Sequence, residues 1–342
     1  MSGQPLSAAD KQLLDRLQRS FPLVERPFAA LAEQAGLSEA EVIQKVGTWQ
    51  VSGLVRRLGP VFDSKSIGYQ SLLVAAACPE ADLEQVVKTI NSYEGVTHNY
   101  LREATDGFKL RYNLWFTMTA ATQAEVEANL AEIQAVTGIT DLLPLPAHRL
   151  YKIKVQFDLE GAESGLRDAF DQTLDQRAPG PVALTAEDWQ LIEAFQTELA
   201  AESNPFAPFA AKLNVTTDTL LRRLQELLDS GVIRRFGATL KHYAVGLNSN
   251  AMGVWAVPPE REDEVGRIMA TFKAVSHCYA RPTYDEWPYN LYTMIHASSR
   301  QECAQIAAEI AKATQISDYH LLYTVKELKK KRMVYRAPRR NS

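Results

Sequence analysis

"SGLVRRLGPVFDSKSIGY", residues 52–69, returns with changes as "SGVIRRFGATLKHYAVGL", residues 230–247. In each copy a Ser-Gly pair stops a helix, and a short extended run with paired arginines follows. Three helical segments precede each copy. In the first, "LSAADKQLLDRLQ" opens with Ser7 as its N-cap and "RPFAALAEQAGL" follows. The third, "SEAEVIQKVGTWQVSGL", begins at Ser38 with Glu41 three residues on, a capping box. "TAEDWQLIEAFQTEL", "PFAPFAAKLNV" and "TTDTLLRRLQELLDSG" answer them in the second half. Three helices, a Ser-Gly stop and a short strand predict a winged helix-turn-helix, present twice.

The duplication extends downstream. "VTHNYLR" is matched by "VSHCYAR", and "YNLWFTM" by "YNLYTMI", at nearly constant displacement: 56 to 234, 98 to 277, 112 to 289. A displacement of this length is a tandem duplication of one large unit, not a short-period solenoid. After the wing, each unit alternates strand and helix signals. In the first half "SLLVAAAC" is a buried strand, "ADLEQVVKTINSY" an amphipathic helix, and "VTHNYLRE" and "YNLWFTMTA" strands. "TQAEVEANLAEIQAVTG" places Val126, Leu130 and Ile133 on one helical face, and "ITDLLPLPA" closes the set. Strand, helix, strand, strand, helix, strand is the ferredoxin-like order. The expected class is therefore α+β. Winged helix-turn-helices fall at 1–69 and 182–247, ferredoxin-like domains at 70–160 and 248–342, and a linker around "QRAPGPVAL" at 161–181.

Composition sets the limits. The 342 residues are 46% hydrophobic and 23% charged, enough for several cores, with a net charge of −4. Chains committed to nucleic acid usually carry a basic excess, and this one does not. No apolar run approaches the roughly 20 residues that span a bilayer. The amino terminus lacks the features of a signal peptide, and Cys78, Cys278 and Cys303 form no CxxC pair or metal-ligand spacing. These features predict a cytoplasmic protein. The basic run "VKELKKKRMVYRAPRR" reads as a solvated tail.

The repeated strand carries the chemistry. Side chains alternate faces along a strand, so Val96, His98, Tyr100 and Arg102 should share one face, as should Val275, His277, Tyr279 and Arg281. A row of His, Tyr and Arg would be costly under helices, and so belongs on the open face of its sheet. Two such sheets facing each other would enclose a flat polar-aromatic cavity. From His98 to Arg102 the strand advances about 13 Å at about 3.3 Å per residue, a reach that suits a large, flat, multiply anionic ligand. The aromatics Tyr112, Trp115, Tyr289 and Tyr292 fit core and pocket equally, whereas Trp287, in "DEWPYN", suits a lid. His148, His242, His296 and His320 have no counterpart across the repeat and read as structural or surface residues.

A helix-turn-helix joined to a ferredoxin-like domain resembles the Lrp/AsnC transcription factors, over nearly the whole of each half. The candidate reading helices fit DNA poorly. Ser38–Leu54 sets Glu39 and Glu41 against one Lys45, and Thr216–Gly231 mixes Arg222 and Arg223 with Asp218, Glu226 and Asp229. A narrower resemblance rests on "RPFAALAEQAGLSEAEV", "SGLVRRLG", "VTHNYLRE…YNLWFT" and "VSHCYARP…WPYNLYTMIH". These are similar to the siroheme decarboxylases, Lrp/AsnC-related enzymes whose two subunit types are often separate proteins. Here the two types look fused into a pseudo-dimer, as in heme d1 biosynthesis. The resemblance implies loss of carbon dioxide from the C12 and C18 acetates of siroheme, giving 12,18-didecarboxysiroheme, in the heme d1 or the alternative heme pathway.

Several residue roles follow from the substrate's charge. Arg102 and Arg281 would anchor spectator carboxylates, with Tyr100 and Tyr279 beside them. Arg57, Arg235, Lys152 and Lys329 would be second-tier anchors. His98 and His277 would be general acids, or either could ligate the siroheme iron. No cofactor beyond siroheme and no separate metal site is expected. A ligand-sensing regulator and an inactive scaffold are the alternatives; a basic recognition surface would favour the first, and buried, satisfied His-Tyr-Arg rows the second.

Overall fold

The computed structural model describes residues 6–105, 107–153, 167–168, 181–240 and 249–337. Most of the expected linker, 161–181, lies outside the described residues, as does His242.

The first half opens with α1 (Ala8–Arg19), α2 (Pro27–Ala35), α3 (Glu39–Val51) and the wing strand β1 (Val55–Phe62). Ser7 caps α1, and Ser38 caps α3 through a box with Glu41, so both start where side-chain oxygens satisfy the first free N–H groups. The second half repeats this with α6 (Ala186–Ala194), α7 (Ala207–Leu213), α8 (Thr217–Asp229) and β7 (Ile233–Leu240). The two wings pair with each other: β1 and β7 form an antiparallel ribbon centred on Gly59 opposite Gly237. A Cβ at Gly237 would lie 2.5 Å from the Leu17 carbonyl oxygen, so glycine is what lets the ribbon pass over the end of α1. Both helical units thereby share one core, in which Leu17, Phe21, Val46 and Leu58 join Phe195, Phe206 and Phe236.

The ferredoxin-like order appears in both halves. The first contains β2 (Gln70–Ala76), α4 (Leu83–Ser92), β3 (Val96–Ala104), β4 (Leu114–Ala120), α5 (Gln123–Thr137) and β5 (Leu142–Pro146). A further strand, β6 (Arg149–Ile153), continues after two residues. The second contains β8 (Ser249–Trp255), α9 (Glu262–Thr271), β9 (Val275–Ala280), β10 (Leu291–Ala297), α10 (Arg300–Thr314) and the long β11 (Tyr319–Lys330).

The two sheets join edge to edge in the order β5-β2-β4-β3-β11-β8-β10-β9-β6. Each half sends its last strand into the other. The first part of β11 pairs with β8 and the rest crosses to β3, while β5 pairs with β2 and β6 crosses to β9. Since β5 runs into β6 through Ala147 and His148, the two outer edges of the sheet are tied by the chain itself. Helices α4 and α5 cover one side of the first sheet, and α9 and α10 the same side of the second. A fourth core lies between the sheets, where Trp115, Leu143 and Leu145 of the first half meet Met252, Val254 and Tyr292 of the second.

The basic segment after β11 is anchored at two points over its described length, although Lys331, Arg332 and Arg336 are exposed. Tyr335 is buried in the helical core, donor or acceptor to Ser64 at 2.6 Å, and the Lys331 N–H bonds the Thr97 carbonyl.

Candidate functional site

Both His-Tyr-Arg rows face one cavity of about 1600 Å³, larger than ordinary small-molecule pockets. It is lined by His98, Tyr100 and Arg102 from β3 and by His277, Tyr279 and Arg281 from β9. The paired wings and Tyr335 also contribute to its wall. Seven arginine and lysine side chains line it against three carboxylates, although the chain as a whole is acidic.

The expected four-residue rows lose one member each. Val96 and Val275 are fully buried under the helices, not on the cavity side. The pairing register slips between Val96 and His98, and between Val275 and His277, so each strand carries a bulge at the intervening residue. A bulge resets the alternation: the valine keeps the core face and the histidine turns to the cavity. The bulge residue also holds the imidazole. Thr97 Oγ1 lies 2.9 Å from His98 Nδ1, and Ser276 Oγ lies 2.8 Å from His277 Nδ1, leaving each Nε2 for the cavity. Alternation alone could not find Thr97 and Ser276.

Further along, the rows superpose in chemistry. Each histidine stacks on its tyrosine, with centroids 6.3 and 6.1 Å apart. The guanidinium carbons of Arg102 and Arg281 lie 5.2 and 5.1 Å from the ring centroids of Tyr100 and Tyr279. Each arginine also reaches the other half: Arg102 Nη1 donates to the Leu322 carbonyl at 3.1 Å, and Arg281 Nη1 to the Leu145 carbonyl. Both are more than nine-tenths buried, each has an Nε without a hydrogen-bond partner, and among the described residues neither is paired with a carboxylate. Burial pushes Arg102 down to about 10 and lowers Arg281 as well.

Burial also lowers both imidazoles, His98 to about 4, with Lys330 adding to the effect, and His277 to about 3, with His296 adding. Their settings differ otherwise. His98 pairs across the sheet with Lys330, and Tyr100 with Glu327, whereas His277 and Tyr279 pair with the apolar Ile153 and Leu150.

The remaining expected residues are placed elsewhere. Arg57 donates to the Phe195 carbonyl and lines a separate pocket of about 140 Å³, and Arg235 donates to the carbonyls of Gln18 and Ala238. Their chain neighbours Arg56 and Arg234 line the main cavity instead. Arg234 is paired with Asp63 at 2.6 Å, while Arg56, exposed on the wall, has no carboxylate partner among the described residues. Lys152 is buried against the Phe272 carbonyl, and Lys329 binds the carbonyls of Asn91 and Tyr93. Trp287 is no lid: it is 2% exposed in the inter-sheet core, donating to Tyr292 Oη at 2.7 Å. Tyr112 and Tyr289 belong to that core, and Trp115 and Tyr292 serve both core and cavity wall. His320 stacks on Phe108, but His148 and His296 line the cavity, against the expectation for them.

The fold and cavity define a pseudo-dimeric, AsnC-like ligand-binding protein with its site shared between the halves. A family model described as the AsnC-like ligand binding domain matches residues 66–152 and 244–329, and one described as the siroheme decarboxylase NirDL-like HTH domain matches 10–56 and 188–234. A siroheme decarboxylase of Hydrogenobacter thermophilus is 34% identical over 95% of this chain and 94% of its own. The siroheme decarboxylase NirDL subunit of Paracoccus denitrificans is 33% identical over 88% of each. A crystal structure of the siroheme decarboxylase NirDL in complex with an iron-uroporphyrin III analogue matches with a TM-score of 0.72 and 30% identity, over 96% of this chain and 94% of that one. The chain belongs to the siroheme decarboxylase family, in its fused form.

Proposed function

We propose that the cavity holds siroheme between the two rows and that the enzyme, a carboxy-lyase, removes carbon dioxide from the acetates at C12 and C18 to give 12,18-didecarboxysiroheme. The observation that carries the reading is the pair of buried guanidinium groups, Arg102 and Arg281, related by the duplication and lacking a carboxylate partner among the described residues. A buried cation without a counter-charge is costly, and a polycarboxylate between the sheets would supply two. The family membership and the relative's complex with an iron-uroporphyrin analogue support the same ligand class.

The chemistry follows from charge. A guanidinium on the departing carboxylate would stabilise the ground state and slow its loss. Arg102, Arg281 and Arg56 therefore hold spectator carboxylates, and the reacting acetate lies where no cation faces it. Its C–C bond breaks, carbon dioxide leaves, and the electron pair spreads into the macrocycle until a proton closes the methyl group. His98 and His277 present Nε2 to the cavity, for proton delivery or for an axial bond to the siroheme iron. The macrocycle is its own electron sink, so no further cofactor enters this reading.

The helix-turn-helix units act as scaffold in this account, not as DNA readers. Arg222 and Arg223 on α8 are ion-paired with Glu226 and Asp188, and the wings are consumed by pairing with each other. No described helix is long and apolar enough to cross a membrane. The three cysteines are buried and free, in keeping with a cytoplasmic setting.

Absorbance titration with siroheme tests the anchors. Arg102→Gln and Arg281→Gln should each weaken binding about tenfold or more, on the scale of a charge-assisted hydrogen bond. Unchanged affinity in both variants would remove the anchoring role.

A further inference from the structure

His277 belongs to a longer chain of hydrogen bonds that has no counterpart at His98 among the described residues. Ser276 Oγ stands 2.8 Å from His277 Nδ1 and 2.9 Å from His296 Nε2, with the Met294 carbonyl at 3.3 Å as a third neighbour. A serine hydroxyl rotates, has one proton to give and can accept another. His296, on the strand next to β9, is partly accessible at the cavity wall, although its Nδ1 is buried. Across the duplication its place is taken by Thr119, whose hydroxyl bonds Ser71 at 3.2 Å, so the chain behind His98 ends at Thr97.

We propose that His296 and Ser276 form a proton relay that hands His277 a proton on Nδ1 as it gives up the one on Nε2, confined to the second half. This rests on the decarboxylase reading. Each loss of carbon dioxide consumes one proton, and a buried neutral imidazole that gave one up unaided would be left as an anion. In the relay, His277 Nε2–H gives its proton to the methylene carbon as the new C–H bond forms. The Ser276 hydroxyl proton passes to His277 Nδ1, and the His296 Nε2 proton passes to Ser276 Oγ. His296 goes from imidazolium to neutral imidazole, and His277 ends as the neutral tautomer with its proton on Nδ1. No charge accumulates on the buried ring, consistent with burial opposing its protonation. The starting tautomer of His277 and the charge on His296 are restored between turnovers, once the ligand has left the cavity. Ser276 and His296 are positioning and relay residues that do not touch the reacting atoms.

Single-turnover decarboxylation of siroheme by the full chain under anaerobic conditions, resolving the singly and doubly decarboxylated products by mass, tests the relay. His296→Ala and Ser276→Ala should slow one of the two losses by about 10- to 100-fold, part of the range for general acid catalysis, with siroheme affinity unchanged within about twofold. Added imidazole should restore His296→Ala but not Ser276→Ala, and Ser276→Thr should keep most of the rate. Should His296→Ala fold poorly, His296→Gln keeps a donor toward Ser276 but cannot relay, and should be slowed equally. Unaltered rates, or equal slowing of both losses with no imidazole rescue, overturn the relay. A wild-type chain that binds siroheme and releases no carbon dioxide overturns the decarboxylase reading beneath it.

Discussion

Thr97 and Ser276 each add one residue to a strand, and that decides which way two histidines point. Strict alternation identified His98, Tyr100 and Arg102 as one face correctly, because the bulge lies upstream of all three. It placed Val96 and Val275 with them incorrectly, for the same reason. The wing arginines show a different limit. Arg56 and Arg57 are adjacent and point to opposite sides of β1, so their sequence cannot say which reaches the ligand. The pairing of the wings does: Arg57 turns to the Phe195 carbonyl and Arg56 to the cavity. Its relative Arg234 is already neutralised by Asp63. Arg56→Gln should accordingly weaken siroheme binding about tenfold and flatten its salt dependence, as read by titration at two ionic strengths. An unchanged salt slope would mean that Arg56 meets no substrate carboxylate.

At the scale of elements, the helix caps, the Ser-Gly stops and the strand–helix order were legible because each rests on local rules. How the halves join was not. The crossing of β6 and β11 depends on which edges are free once each sheet has formed, and edge pairing is a long-range property. The second helical unit also depends on a pair distant in sequence. Asp188 on α6, its side chain 1% exposed, is held by Arg223 of α8 through two bonds of 2.6 Å. Burial alone would raise this carboxyl, yet Arg223 and Thr185 hold it below its usual value. A depressed pKa contributes stability that is complete above the unfolded value near 3.9 and is lost as pH falls through the folded one. Denaturation midpoints should therefore fall below about pH 4. Asp188→Asn should cost about 2 kcal/mol at pH 7, less than a fully buried pair because Arg223 stays 38% exposed, and should make the acid dependence shallower. An acid dependence identical to wild type would exclude Asp188 as a contributor.

For the whole molecule, duplication builds a cavity that neither half closes alone, since Arg102 is bonded to β11 of the second half and Arg281 to β5 of the first. Fusion then lets the two copies diverge. His98 sits beside Lys330 and Glu327, whereas His277 sits beside Ile153 and Leu150 with His296 behind it. Such non-equivalent walls suit a substrate that must react twice at different carbons. The most direct measurement is the mass of siroheme after anaerobic incubation with the purified chain, its His98→Ala variant and its His277→Ala variant. The account predicts loss of two carbon dioxides with wild type, and for each variant about 10²- to 10⁴-fold slower appearance of product, with different mixtures of singly decarboxylated material. Siroheme bound tightly but recovered at unchanged mass, under conditions where a known siroheme decarboxylase works, would contradict it.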